Sequence, residues 1–229
     1  MALLVVEGAV VGRLRRRQPR PLNLAPAGAA ELERVKAAFD GRGSDKSSAV
    51  DYTAIYASIL PSLPADPRIL EIGIGTNFED VDSSMGPEGV PGASLRAFRD
   101  LRPDATVFGA DVDRRILFSE PGITTHWVDQ LDRSSLAALR SQLGGQFDLV
   151  IDDGLHTRPA NLNTFRTLFP AVRPGGWFVI EDVVGSTIPF WEQFLAREQL
   201  AGEVFDTRSE RNDYDSVAVV IRAPGASAN

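Results

Sequence analysis

The sequence predicts a doubly wound α/β domain, a mostly parallel sheet covered by helices on both faces. From Arg68 onward, short apolar runs bounded by Gly, Pro or Asp alternate with helical stretches. The runs are rich in β-branched and aromatic residues, as strands buried on both faces are. Parallel neighbours need a crossover connection, which the intervening helices supply. The composition agrees: 229 residues, 43% hydrophobic and 24% charged, suit a globular domain and exclude a disordered or collagen-like chain.

Taken in order, residues 1–28 read as an arm and linker. Arg13, Arg15, Arg16, Arg17 and Arg20 follow an apolar run broken by Glu7, with Pro19, Pro21 and Pro26 around and after them. That order is the reverse of a secretory signal, and the run is too short to span a bilayer. The expectation is a cytoplasmic chain whose arm either docks on its own core, joins a second copy in a homo-oligomer, or frays as a solvated basic stretch. Residues 29–66 form a helical lead-in, with helices over 29–40 and about 49–60, ended by Asp40-Gly41 and by Pro61, Pro64 and Pro67. Residues 67–224 form the sheet domain. Its strands are RILEIGI, ATVFGAD, GITTHWV, FDLVIDD and GWFVIED, with helices at about 92–102, 132–142, 160–172 and 188–200. EVFDTR and SVAVVIR, separated by SERNDYD, close the sheet as an antiparallel hairpin and bring the count to seven strands.

Charge narrows the partners. Thirty-one acidic against 24 basic side chains give −7, and the five arginines of the first twenty residues leave 19 basic and 30 acidic groups over 21–229, or −11. Such a body repels phosphate backbones and anionic membranes, so nucleic acid and membrane are excluded as main partners and a small molecule is favoured. The absence of cysteine excludes disulfides, thiolate metal sites and a cysteine nucleophile, and fits a reducing compartment.

In doubly wound sheets, ligands bind beyond the carboxyl ends of the strands. The first such end reads Glu71-Ile72-Gly73-Ile74-Gly75-Thr76-Asn77, where the glycines let backbone approach a ligand. Phe78 stands where a dinucleotide fingerprint needs a third glycine, and Glu71 suits a cationic ligand better than a pyrophosphate, which weighs against a nicotinamide oxidoreductase. Asp111 ends the second strand, where a carboxylate can accept both hydroxyls of a ribose. Asp129-Gln130 follow the third, where a side chain can meet an adenine edge. Each also has a structural alternative, Asp111 as a helix cap and Asp129 as a turn residue. The polar segment 76–91 reads either as a lid or as a surface loop. The fourth strand ends in Asp152-Asp153-Gly154-Leu155-His156 and the fifth in Glu181-Asp182. If these strands are neighbours, four carboxylates meet and need protons or a hard cation such as Mg2+. His156, three residues after Asp153, can accept a proton from a hydroxyl held there, whereas helix capping is the alternative for these residues. His126 falls inside a strand and reads as structural.

Over residues 68–222 the sequence resembles class I S-adenosylmethionine-dependent methyltransferases, with a Rossmann-like sheet. The resemblance is carried by E-x-G-x-G at Glu71 to Gly75, by Asp111, and by the turn Val172-Arg173-Pro174-Gly175-Gly176. IDDGLH, WFVIED and the upstream SDK at Ser44 to Lys46 with Tyr52 and Tyr56 are similar to the magnesium-dependent sugar O-methyltransferases of macrolide and related pathways. Asn77 departs from the pattern, since many methyltransferases carry a third glycine there. The resemblance implies S-adenosyl-L-methionine and Mg2+ as cofactors, with Glu71, Gly73, Gly75, Asn77, Asp111, Asp129, Gln130 and Asp152 toward the former. It further implies Asp153, Glu181 and Asp182 as metal ligands, His156 as catalytic base, and a hydroxyl of a sugar or glycosylated metabolite as acceptor. A phenolic or polyketide hydroxyl, and a methyltransferase-fold protein that binds or rearranges without methyl transfer, are the other readings.

Overall fold

The computed structural model describes residues 19–22, 24–48, 50–208 and 215–225. The first eighteen residues of the arm and most of the SERNDYD turn lie outside the described residues. The strands are β1 (Arg68–Ile72), β2 (Thr106–Asp111), β3 (Ser119–Glu120), β4 (Ile123–Trp127), β5 (Phe147–Asp152), β6 (Val172–Val184), β7 (Ala201–Phe205) and β8 (Ser216–Arg222). They form one sheet in the order β3-β4-β2-β1-β5-β6-β8-β7. β4, β2, β1, β5 and β6 run parallel, while β3 and β8 run antiparallel to their neighbours. The eighth strand beyond the expected seven is β3, two residues long and too short to show any alternation.

Each strand divides its side chains between two cores, because successive residues point to opposite faces. Ile69, Leu149, Ile151, Trp177, Val179, Ala218 and Val220 pack with α1 (Ala29–Arg42), α2 (Thr53–Ile59) and α3 (Ala93–Leu101). Leu70, Ile72, Val150, Phe178, Ile180, Val217, Val219 and Ile221 pack with α4 (Arg133–Leu143), α5 (Arg158–Leu168) and α6 (Ile188–Glu198). Both faces are covered, which is why the strands read as unbroken apolar runs.

The lead-in helices share the first of these cores with the sheet. Phe39, Tyr56 and Phe98, from α1, α2 and α3, meet edge to face with centroids 5.1–5.8 Å apart, and each such pair contributes about 0.5–1.5 kcal/mol beyond its burial. α2 starts at Thr53, later than the sequence pattern suggests, where the Asp51 carboxylate accepts the Thr53 N–H at 3.1 Å. The residues before it form turns, with Ser48 N–H donating to Asp45 O at 2.9 Å and Tyr52 N–H to Lys46 O at 2.9 Å. These turns carry Lys46 inward. At the far edge, Arg20 pairs in parallel with Ala201 beside β7. No helix among the described residues is long and apolar enough to cross a membrane.

Candidate active site

The carboxyl ends of β1, β2, β4, β5 and β6 border a cavity of about 600 Å3, inside the range of about 300–1,000 Å3 usual for small-molecule pockets. Its floor is the glycine loop. Gly73 has φ +84°, and a Cβ there would lie 2.0 Å from the Asp153 carbonyl oxygen. Gly75, at φ +77°, is held against the Met85 side chain in the same way. Segment 76–91 folds back over this loop, with Met85 N–H donating to Thr76 O at 2.9 Å and Gly92 N–H to Ile74 O at 2.7 Å. Asp80, Asp82, Ser83 and Met85 thereby form one wall of the cavity.

Asp111 and Asp129 both line the cavity. Asp111 accepts the N–H groups of Ile74 and Asp113, each at 2.9 Å, and burial raises its carboxyl above the usual range. Asp129 accepts the Leu131 N–H at 2.8 Å. Gln130 also reaches the lining, but its amide is committed to the protein. Its Nε2 donates to Asp152 Oδ1 at 2.5 Å and Thr164 Oγ1 at 2.8 Å, and its Oε1 accepts the Leu155 N–H at 2.7 Å.

Three expected site residues stand elsewhere. Asp152 is fully buried on the α5 side of the sheet, where Asn161 Nδ2 donates to its second oxygen at 3.1 Å. It shares the parity of Val150, so the strand itself turns it away from the cavity. Burial pushes its carboxyl up to about 6, against the lowering effect of Asn161 and Gln130. Asn77 is absent from the cavity lining, as is Glu181. Glu181 has the parity of Trp177 and Val179 and points to the α1–α3 face, where Lys46 and Tyr56 donate to its two oxygens.

Lys46 is the residue that sequence reasoning passed over. It belongs to the SDK motif but had no role assigned, because a lysine in a polar turn ordinarily reads as solvated. Here it is 2% exposed. Its ammonium donates to Asp153 Oδ2 and Glu181 Oε2 and lies 3.2 Å from Glu71 Oε1. Burial opposes its charge, but Asp153, Glu181 and Glu71 more than reverse this and keep it protonated. Glu71 therefore faces Lys46 as well as the cavity, and its other oxygen accepts the Ser94 hydroxyl at 2.7 Å. Asp113 is a second unforeseen member of the lining. It accepts from Thr76 Oγ1 at 2.6 Å and from Arg115 Nε at 2.8 Å, and Arg115 holds its carboxyl down to about 2.

Beside Lys46, the ligand atoms of Asp153, His156 and Asp182 all lie within 4.8 Å of one another. β5 and β6 are neighbours, with Asp152 opposite Ile180 in register, so the expected meeting of their ends occurs. His156 Nε2 is 3.3 Å from Asp153 Oδ1 and 3.7 Å from Asp182 Oδ2. Tyr52 fixes Asp182 by donating its hydroxyl to Oδ1 at 2.7 Å and accepting the Asp182 N–H at 3.0 Å. His156 and Asp182 both have left-handed backbone, φ 55° and 48°, a strained conformation for non-glycine residues that aims their side chains inward. Burial alone would lower the His156 pKa, but the hydrogen bond to Asp153 and the charges of Asp153, Asp182 and Asp152 push it up to about 9. The carboxylates of Asp153 and Asp182, half-buried and convergent, fit a hard divalent cation such as Mg2+ or Mn2+, with the His156 imidazole beside them.

Comparison with known proteins points to the same fold. Residues 87–183 match the family model described as a methyltransferase domain. The 8-demethyl-8-alpha-L-rhamnosyl tetracenomycin-C 2'-O-methyltransferase of Streptomyces olivaceus is 34% identical over 176 residues, 71% of this chain and 43% of the relative. The demethylmacrocin O-methyltransferase of Streptomyces fradiae is 40% identical over 116 residues, 51% of this chain and 27% of the relative. The chain thus spans less than half the length of these curated relatives. Among solved structures, the MycE methyltransferase from the mycinamycin biosynthetic pathway, in complex with Mg and SAH, superposes with a TM-score of 0.61 at 22% identity, covering 86% of this chain and 56% of that one. Sheet order, glycine loop and relatives together give the chain the class I methyltransferase fold, and its sequence resembles the sugar O-methyltransferases of natural-product pathways.

Proposed function

We propose that the chain transfers the methyl group of S-adenosylmethionine to a hydroxyl of a sugar or glycosylated natural product, with a divalent cation assisting. The observation that carries this reading is the convergence of Asp153, His156 and Asp182 at one end of the same cavity that Gly73, Gly75 and Asp111 border. The names of the relatives, O-methyltransferases of a rhamnosyl tetracenomycin and of demethylmacrocin, support the acceptor class. The acid-rich lining suits a sulfonium donor, since carboxylates outnumber Lys46 and Arg115 around the cavity.

Gly73 and Gly75 would give the donor close backbone contact, Asp111 would hold its ribose, and Asp129, beyond β4, would meet its adenine. Bound S-adenosylmethionine supplies an electrophilic methyl and leaves as a neutral thioether, and a bound divalent ion supplies the positive charge that orients and acidifies the acceptor hydroxyl. Asp153 and Asp182 would hold that ion, and Glu181, whose oxygen now accepts from Lys46, would join them only if released. His156 Nε2 takes the hydroxyl proton while the oxygen's electron pair forms the new bond to carbon. For this it must be neutral, and a cation on Asp153 and Asp182 would offset the two nearest charges that now raise its pKa.

Calorimetry with S-adenosylhomocysteine, followed by mass spectrometry of rhamnosylated and macrolide glycosides incubated with the chain and the donor, tests the reading. Binding of the nucleoside and a gain of one methyl that chelation abolishes are expected. Failure to bind the nucleoside contradicts the methyltransferase assignment, and transfer that survives exhaustive chelation contradicts the role of the metal.

A further inference from the structure

Lys46 has no task in the proposed transfer, yet it is a charged side chain almost wholly buried beside the cavity. Three carboxylates from three adjacent strands, Glu71 of β1, Asp153 after β5 and Glu181 of β6, converge on its ammonium. Two of them, Asp153 and Glu181, are oxygens that a divalent ion at the end of β5 and β6 would draw upon. Asp153 is shared outright. Its Oδ2 accepts from Lys46 while its Oδ1 faces His156.

A buried cation at this position repels a second cation and occupies the latter's ligands at once, and in a poorly solvated interior both effects are strong. The surroundings also give the ammonium somewhere to go. Glu71 Oε1 is buried with no hydrogen bond aligned on it, although it lies 3.2 Å from Lys46 Nζ. An ammonium that gives up Glu181 therefore has an acceptor ready. Tyr56, donating to the other oxygen of Glu181, keeps that side chain in place meanwhile.

We propose that Lys46 is an internal counter-cation that competes with the divalent ion for Asp153 and Glu181 and so sets the ion's affinity. The proposal rests on the metal reading above, and it makes Lys46 a positioning residue that acts through the two acids. Removing the charge frees both ligands, so Lys46→Gln binds Mn2+ more tightly than the wild type, by about tenfold or more. Lys46→Arg keeps the charge and gains no such affinity. Titration of the folded proteins with Mn2+, followed by electron paramagnetic resonance of the free ion, reads both values without any turnover assay.

The wild-type chain offers a second measurement should Lys46→Gln fail to fold. Lys36 and Lys46 are its two lysines, so selective 13C-lysine labelling gives two sets of side-chain signals, assigned with Lys36→Arg. Mg2+ is expected to shift the ε-methylene signal of Lys46 and leave that of exposed Lys36 unmoved. Equal or weaker Mn2+ binding by Lys46→Gln overturns the competition, as does a Lys46 signal unchanged at saturating Mg2+. Loss of Mn2+ binding by Asp182→Asn, with the wild type binding, separately supports the metal site. Absence of Mn2+ binding by wild type and Lys46→Gln alike overturns both.

Discussion

His156 shows how much of a residue's chemistry is set by its immediate neighbours. Its ring nitrogen faces two carboxylates, and its left-handed backbone leaves little choice of direction. His156→Ala is expected to leave nucleoside binding intact and to lower kcat by about 10²–10⁴, the usual worth of a positioned base. Near-normal turnover would remove it from that role. Gly73 makes a different demand. With φ +84° and the Asp153 carbonyl where a Cβ would stand, Gly73→Ala must move the backbone just past the ends of β1 and β5. A stability loss of about 1–3 kcal/mol or more follows, read as a lower Tm, together with lost nucleoside binding. The glycine pair was legible in the sequence because its conformational requirement is local. Lys46 was not, since its burial depends on Glu71, Asp153 and Glu181, residues distant in the chain.

At the scale of the element, the alternation of side chains along β5 and β6 sorts the acids. The sequence reading recognised that adjacent residues point to opposite faces, and the register of β5 and β6 resolves which acid goes where. Asp152 turns to α5 and ties the strand to Gln130 and Asn161, whereas Asp153, just past the strand end, reaches the cavity. Asp152→Ala leaves the buried Asn161 amide without an acceptor, at about 1–3 kcal/mol, and takes from Gln130 one of its two acceptors, the other being Thr164. The expected result is a clear fall in Tm with the nucleoside affinity of the folded protein unchanged. A loss of nucleoside affinity at full stability would return Asp152 to the cofactor side of the site. Glu181 follows the same rule on the opposite face, and the motif that names it beside Asp182 says nothing of that separation.

For the molecule as a whole, the order β3-β4-β2-β1-β5-β6-β8-β7 places five parallel strand ends around one cavity. Five apolar runs, the hairpin and the flanking helices were readable because burial on both faces leaves an unambiguous composition, whereas β3 offers two residues and no pattern. The lead-in helices were readable as helices. Their union with the sheet core through Phe39, Tyr56 and Phe98 required the packing, and it is this union that seats Tyr52, Tyr56 and Lys46 against the strand-end acids. The cavity and the carboxylate–imidazole group are thus two halves of one site. The most direct test is the NMR signal of S-adenosylmethionine labelled with 13C in its methyl group, bound to the chain and titrated with Mn2+. Strong paramagnetic broadening of that methyl, absent in Asp182→Asn, is the result expected of a metal beside the donor. A bound methyl signal indifferent to Mn2+ would contradict the account.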